Sequence, residues 1–247
     1  NLLKDPIPGL IKKIALPASI GTLFQTLFNI VDTFFAGTIS PEALSALAKS
    51  FPIYFIIIAA CVGVTVGGTS LIANSIGENN KSKIHGYFAH TIIYAIIVSI
   101  FITVVGLFFA PYLFELMGSE TEVVQLGLSY TNVIFTGSIV FIMLVALNSL
   151  LHADGDTKTY RNVLILSFFL NILLNPLFIF GFGPIPAFGI SGIGIATIVA
   201  QFIGLVIVFI KASKSVRIKD ISQKDFNFNS KIITNLFFQS APISAAL

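Results

Sequence analysis

Thr91-Ile-Ile-Tyr-Ala-Ile-Ile-Val-Ser-Ile-Phe-Ile-Thr-Val-Val-Gly-Leu-Phe-Phe-Ala110 runs for twenty residues without an Asp, Glu, Lys or Arg. A helix crossing the hydrocarbon core of a bilayer needs about 20 such residues. In lipid the backbone is satisfied only by a helix or a closed barrel, and barrel strands would be shorter and would alternate. Working outward from this stretch, the apolar runs give six candidate spans, at 14–38, 45–73, 88–112, 124–151, 161–183 and 188–210. Polar or turn-rich breaks at 37–42, 77–83, 118–122, 152–158 and 181–186 separate them. The fold class is therefore all-α, a polytopic transmembrane helical bundle.

Composition agrees. Of the 247 residues 55% are hydrophobic and 10% charged, whereas a soluble domain carries roughly 25% charged residues. The mean hydropathy is +0.95. Cys61 is the sole cysteine, which excludes an internal disulfide or a thiolate metal cluster; within an apolar run it reads as a small packing residue.

The basic residues assign a direction. Lys4, Lys12 and Lys13 precede the first span. Lys81 and Lys83 fall in the second loop, and Lys158 and Arg161 in the fourth. Lys211, Lys214, Arg217, Lys219, Lys224 and Lys231 follow the sixth span. Thirteen of the 14 Lys and Arg thus share one side, and Lys49 is the exception. By the positive-inside rule the N-terminus and the segment after span six are cytoplasmic, in a multi-pass protein of the cytoplasmic (inner) membrane. The net charge of +3 reports topology and contact with anionic lipid, not a nucleic-acid partner.

The chain divides into a six-helix lobe (1–210), a basic cytoplasmic linker (211–231) and an apolar segment (232–247) too short to span. Phe238-Gln-Ser-Ala-Pro-Ile-Ser-Ala-Ala-Leu247 is similar to Lys13-Ile-Ala-Leu-Pro-Ala-Ser-Ile-Gly-Thr22, aligning Pro242 with Pro17 and Ser244 with Ser19. This reads as the truncated start of a seventh helix opening a second lobe, a plan common among transporters. The whole protein would then have about twelve spans, and its second lobe would be a partner of this one.

Asp32 is the one acidic residue placed well inside a span. A carboxylate there costs at least about 2.5 kcal/mol, so it should face a cavity or a partner. Thr22, Gln25, Asn29 and Asp32 step by 3, 4 and 3 along one helical face, widened by Thr26 and Thr33. Pro17 permits a bend in the same helix. Asn171 and Asn175 share a face of span five, with Pro176 following, and Thr197 and Gln201 do so in span six. Such oxygens suit a hard cation such as Na⁺; amide pairs joining helices are the alternative. Gly63, Gly67, Gly189, Gly192 and Gly194 point to close helix packing. His90 reads as hydrogen-bonded structure, and His85 and His152 as loop residues without metal-ligand spacing.

No phosphate loop, nucleophile elbow or HExxH motif is present. An enzyme is not expected, nor a bound cofactor, nor a metal other than a coupling Na⁺. Active transport would draw on an ion gradient.

Four motifs resemble one family. Pro17 with Val31-Asp-Thr-Phe-Phe-Ala-Gly37 is similar to the first-helix signature of the MATE (multidrug and toxic compound extrusion) transporters. Leu151-His-Ala-Asp-Gly-Asp-Thr157 resembles their motif between helices four and five. Asn171-Ile-Leu-Leu-Asn-Pro-Leu-Phe-Ile-Phe-Gly181 and Gly189-Ile-Ser-Gly-Ile-Gly-Ile-Ala-Thr197 resemble their fifth and sixth helices. The resemblance implies half of a two-lobe, 12-helix antiporter that expels small organic, often cationic, compounds against inward Na⁺ or H⁺. It implies a cation site at Asp32, Asn171, Asn175 and Thr197, and a cavity reached by Gln25, Asn29 and Tyr130, with Pro17 as hinge. Asn175 departs from the second Asp of archaeal-type relatives, which favours Na⁺ over a two-carboxylate proton relay and leaves H⁺ through Asp32 alone open. A lipid-linked glycan flippase of the same superfamily is the nearest alternative, but it should line its cavity with several basic residues, and the spans offer none. A non-transporting membrane scaffold subunit would leave the buried acid unexplained.

Overall fold

The structure, a computed structural model, describes residues 7–246, with side chains from residue 15 onward. Lys4 and the side chains of Lys12 and Lys13 lie outside the described residues.

Among the described residues eight α-helices follow one another: α1 (Ile7–Ile39), α2 (Pro41–Gly77), α3 (Lys81–Leu116), α4 (Thr121–Thr136), α5 (Ser138–Ala153), α6 (Lys158–Phe180), α7 (Ile190–Ser213) and α8 (Ser230–Ala245). Among the described residues the one extended pairing is an isolated bridge between Phe182 and Ile185. Among the described residues four helices, α2, α3, α6 and α7, are long and apolar enough to cross a membrane, and the bent pair α4–α5, taken as one span, makes a fifth. The 33-residue α1 encloses the first expected span, 14–38, with Gln25, Asn29 and Asp32 inside it.

The expected fourth span, 124–151, is broken at Gly137, where α4 and α5 meet at 40°. The cause is a side chain from α3. Thr103 Oγ1 donates to Phe135 O at 2.8 Å and lies 2.8 Å from Ser138 Oγ, and Ser138 Oγ in turn donates to Ser99 O at 3.3 Å. A hydroxyl entering the backbone ladder beside a Gly-Ser pair is a known source of kinks. His85 and His152 lie inside α3 and α5 rather than in loops.

Contacts at the two ends show how the charges are sorted. Arg217 Nε donates to Asp154 Oδ1 at 2.8 Å, and Lys81 Nζ lies 3.8 Å from Asp220. The α2–α3 turn, the α5–α6 turn and the segment after α7 therefore meet at one end of the bundle. Lys49 lies toward the other end, donating to Met117 O at 3.4 Å and Ser119 Oγ at 3.1 Å just past the end of α3. The exception to the charge asymmetry is thus used to satisfy a helix C-terminus.

Small residues let the helices approach. A Cβ at Gly63 would strike Ser244 Oγ, and one at Gly67 Ser240 Oγ, where α2 packs on α8. A Cβ at Gly192 would meet the backbone C and O of Phe178 at 2.6 Å, which fixes the α6–α7 crossing. Pro17 and Pro242, aligned in the sequence, each lie inside a helix, α1 and α8.

Candidate functional site

Three helices converge on Asp32. It is 6% exposed, and each carboxylate oxygen is held by donors from distant helices. Asn171 Nδ2 donates to Oδ1 at 2.8 Å and Asn175 Nδ2 to the same oxygen at 2.9 Å. Thr197 Oγ1 donates to Oδ2 at 3.2 Å. Asn175 Nδ2 also donates to Asn171 Oδ1 at 3.1 Å, which ties the two amides together. The i,i+4 spacing on α6 puts both amides on one face, and the tight α6–α7 crossing at Gly192 sets Thr197 beside them. Asn171, Asn175 and Thr197 are buried. Asn175 Oδ1 has no partner among the described residues. Among the described residues Asp32 thus meets neutral donors from α6 and α7, and leaving a buried amide oxygen such as Asn175 Oδ1 without a protein partner is costly.

A cavity of about 500 Å³ opens against this cluster, lined by Asp32, Thr197, Asn29, Tyr54 and Tyr130 among others. Tyr130, at 6% exposure, reaches it from α4. A second cavity of about 330 Å³ shares Asn29 and Tyr54 and adds Gln25, Cys61, Tyr160 and Gln201. A third, about 290 Å³, holds Pro17, Thr22, Gln25, His152, Tyr160 and Arg161. The polar stripe of α1 thus passes successive cavities from the Pro17 end to Asp32.

Within the stripe the residues divide. Thr22, Thr26 and Thr33 each donate back to a carbonyl four residues earlier, so their hydroxyls are engaged. The side-chain amides of Gln25 and Asn29 make no hydrogen bond to a described residue and are free to meet a ligand. Gln201, read as a companion of Thr197, instead faces the cavity of Cys61 and Tyr160. Tyr54 and Tyr160 went unnoticed in the sequence; Tyr54 signals itself only as a hydroxyl-bearing ring in an apolar run, and Tyr160 stands in the polar stretch that opens α6. The expectation of spans without basic residues needs correction at Lys49, inside α2, and at Arg161, in the first turn of α6. Arg161 lines the cavity nearest Pro17.

The MatE family model matches residues 17–177, well over half of the chain. The chain belongs to the MatE family. Among curated relatives, the FAD transporter of Shewanella oneidensis is 29% identical over 205 residues, covering 83% of this chain and 45% of that protein. The probable multidrug resistance protein NorM of Thermotoga maritima is 30% identical over 206 residues, covering 82% and 44%. A solved multidrug resistance MATE family transporter of the MOP superfamily, in an outward-facing conformation, is 30% identical with a TM-score of 0.83, covering 96% of this chain and 52% of that one. A MOP superfamily transporter from Pyrococcus furiosus is 29% identical with a TM-score of 0.84, over 96% and 52%. The chain spans about half the length of these MatE relatives. Three of the four are named as transporters and the other as a probable multidrug resistance protein, in line with the expectation of a membrane protein that is not an enzyme.

Proposed function

We propose that this chain is the N-terminal lobe of a cation-coupled antiporter that exports organic, often cationic, compounds or drugs across the cytoplasmic membrane. Its first 210 residues form the lobe, 211–231 the cytoplasmic linker, and 232–247 the start of a second lobe supplied by the same protein. The names of the multidrug relatives support the export of small organic compounds. The observation that carries the coupling is the Asp32 carboxylate, held by Asn171, Asn175 and Thr197 at the head of a line of cavities.

The coupling ion is Na⁺ or H⁺. A Na⁺ ion needs oxygen ligands, and both amides turn their nitrogens to Asp32. A half-turn of the Asn175 amide would present its unpartnered oxygen to an arriving cation, and Thr197 would keep its oxygen in place. A proton would need only Asp32. In either case the buried charge is neutralised, which frees α1 to bend near Pro17 and close the cavity by alternating access. A coupling of about 1–3 kcal/mol is typical of linked sites. Gln25, Asn29 and Tyr130, with Tyr54, would contact the substrate. A flippase is not favoured, since Arg161 is a single cation rather than a lining of several.

The test is efflux of a fluorescent organic cation from vesicles carrying the complete protein, in Na⁺ and in K⁺ media at fixed pH. Efflux that needs Na⁺ and is lost in Asp32→Asn is the expected result for Na⁺ coupling. Loss on collapsing the proton gradient, without Na⁺ dependence, reassigns the ion to H⁺. Full cation-dependent efflux in Asp32→Asn would overturn the reading.

A further inference from the structure

At the end of the bundle where the basic residues gather, a cavity of about 610 Å³ lies between the α2–α3 turn, the α5–α6 turn and the end of α7. Lys81, Lys211, Lys214 and Arg217 line it, as do Asp154 and Asp156. The two acids are already engaged. Asp154 takes Arg217 Nε at 2.8 Å and Ser215 Oγ at 3.4 Å. Asp156 accepts the backbone N–H groups of Lys158 and Thr159 at 3.1 and 3.0 Å and the Thr159 hydroxyl at 2.7 Å. The ammonium groups of Lys211 and Lys214 are exposed and hold no hydrogen bond or close ion pair with a described residue. The Lys211 charge acts on Asp156, but four basic side chains face two acids in the lining, so the cavity carries surplus positive charge on lysines that no hydrogen bond or close ion pair holds.

An apolar track leads to it. Phe202, Val206 and Ile210 are 53%, 41% and 46% exposed, and with Lys214 they recur every four residues, forming one line down the outside of α7. Val216, 84% exposed, forms part of the cavity's own wall. An apolar ridge about two turns long that ends in lysines held by no hydrogen bond or close ion pair matches a molecule with an acyl chain and an anionic head. A soluble anion would use only the lysines, and a neutral lipid only the ridge.

We propose that this cavity is a binding site for an anionic glycerophospholipid of the adjacent leaflet, its phosphodiester against Lys211 and Lys214 and its acyl chain along Phe202, Val206 and Ile210. The site pins the segment after α7 to the membrane surface. It lies apart from the Asp32 cluster and is independent of the coupling ion.

Native mass spectrometry of the full transporter in detergent tests it, with titration of phosphatidylglycerol, phosphatidylcholine of the same chain length, and inorganic phosphate. One phosphatidylglycerol should be retained in preference to phosphatidylcholine. Lys211→Gln with Lys214→Gln should weaken retention about thirtyfold, the worth of two lysines near an anionic surface at about 1 kcal/mol each. The charge-matched pair Lys224→Gln with Lys231→Gln should change it little, and Ile210→Ser should weaken it with every lysine intact. All these side chains are at least partly exposed, so the variants keep the fold. Equal retention of the two lipids, displacement by inorganic phosphate alone, or equal loss in the two lysine pairs would overturn the proposal.

Discussion

Asn171 Nδ2 stands 2.8 Å from Asp32 Oδ1 although 139 positions separate the two residues in the chain. The bond joins α6 to α1 inside the bundle, and it gives a buried carboxylate part of the stabilisation that water would otherwise supply.

Asn171→Ala should therefore destabilise the protein by about 2 kcal/mol, the usual worth of a hydrogen bond to a charged group. In an Asp32→Asn background the same change should cost less, because the charge that strengthened the bond is gone. Thermal unfolding of the full transporter in detergent, run as a double-mutant cycle, measures the difference. Equal costs in both backgrounds would mean that the amide serves only α6.

The α6–α7 crossing holds Thr197 in reach of Asp32. Gly192→Ala would drive a methyl group into the backbone of Phe178 at 2.6 Å, where no rotamer change offers relief. A loss of about 1–3 kcal/mol is expected from such overpacking, with impaired efflux as α7 moves away. Gly77→Ala meets no atom within 4 Å and should leave both the melting temperature and transport near wild type.

Thr103→Val should remove the hydroxyl that takes the Phe135 carbonyl at the bend between α4 and α5. The buried carbonyl and Ser138 Oγ each lose a partner, at a cost of about 1–3 kcal/mol. Thr103→Ser keeps the hydroxyl and should recover most of the stability in the same melting assay.

Asp156 lies between the spans, where it caps the start of α6. Partial burial pushes its carboxyl up, but the Thr159 hydroxyl and N–H, the Lys211 charge and the Lys158 N–H together hold it below the ordinary carboxylate value. A depressed folded pKa means that the contribution is fully present above about pH 4 and is lost as pH falls through the lower folded value. Asp156→Ala should cost about 1 kcal/mol at pH 7, as for other lost caps. The gap between the wild-type and mutant melting curves should close toward pH 3. A gap that stays constant with pH would show that ionisation of Asp156 plays no part.

Much of the architecture was legible because lipid imposes a simple rule on long segments. Runs such as 91–110 declare themselves by apolar length, and the basic residues sort the loops to one end. The break at Gly137 was hidden, since Thr103 lies more than thirty positions away and enters the α4–α5 backbone only after folding. The stripe on α1 was legible from its helical spacing, and so was the pairing of Asn171 with Asn175, because both are local periodicities.

What the sequence by itself determined is therefore the class of the protein, an all-α membrane bundle with one carboxylate placed where it must be compensated. Only the tertiary structure decided what compensates it. It sent Thr197 to Asp32 and Gln201 to the neighbouring cavity, although the two share a helical face. It also brought Tyr54 and Tyr160 to the cavity walls and joined Arg217 to Asp154. The physical reason is that spacing within a helix fixes which residues share a face, while close contacts such as Gly192 against Phe178 fix what that face meets.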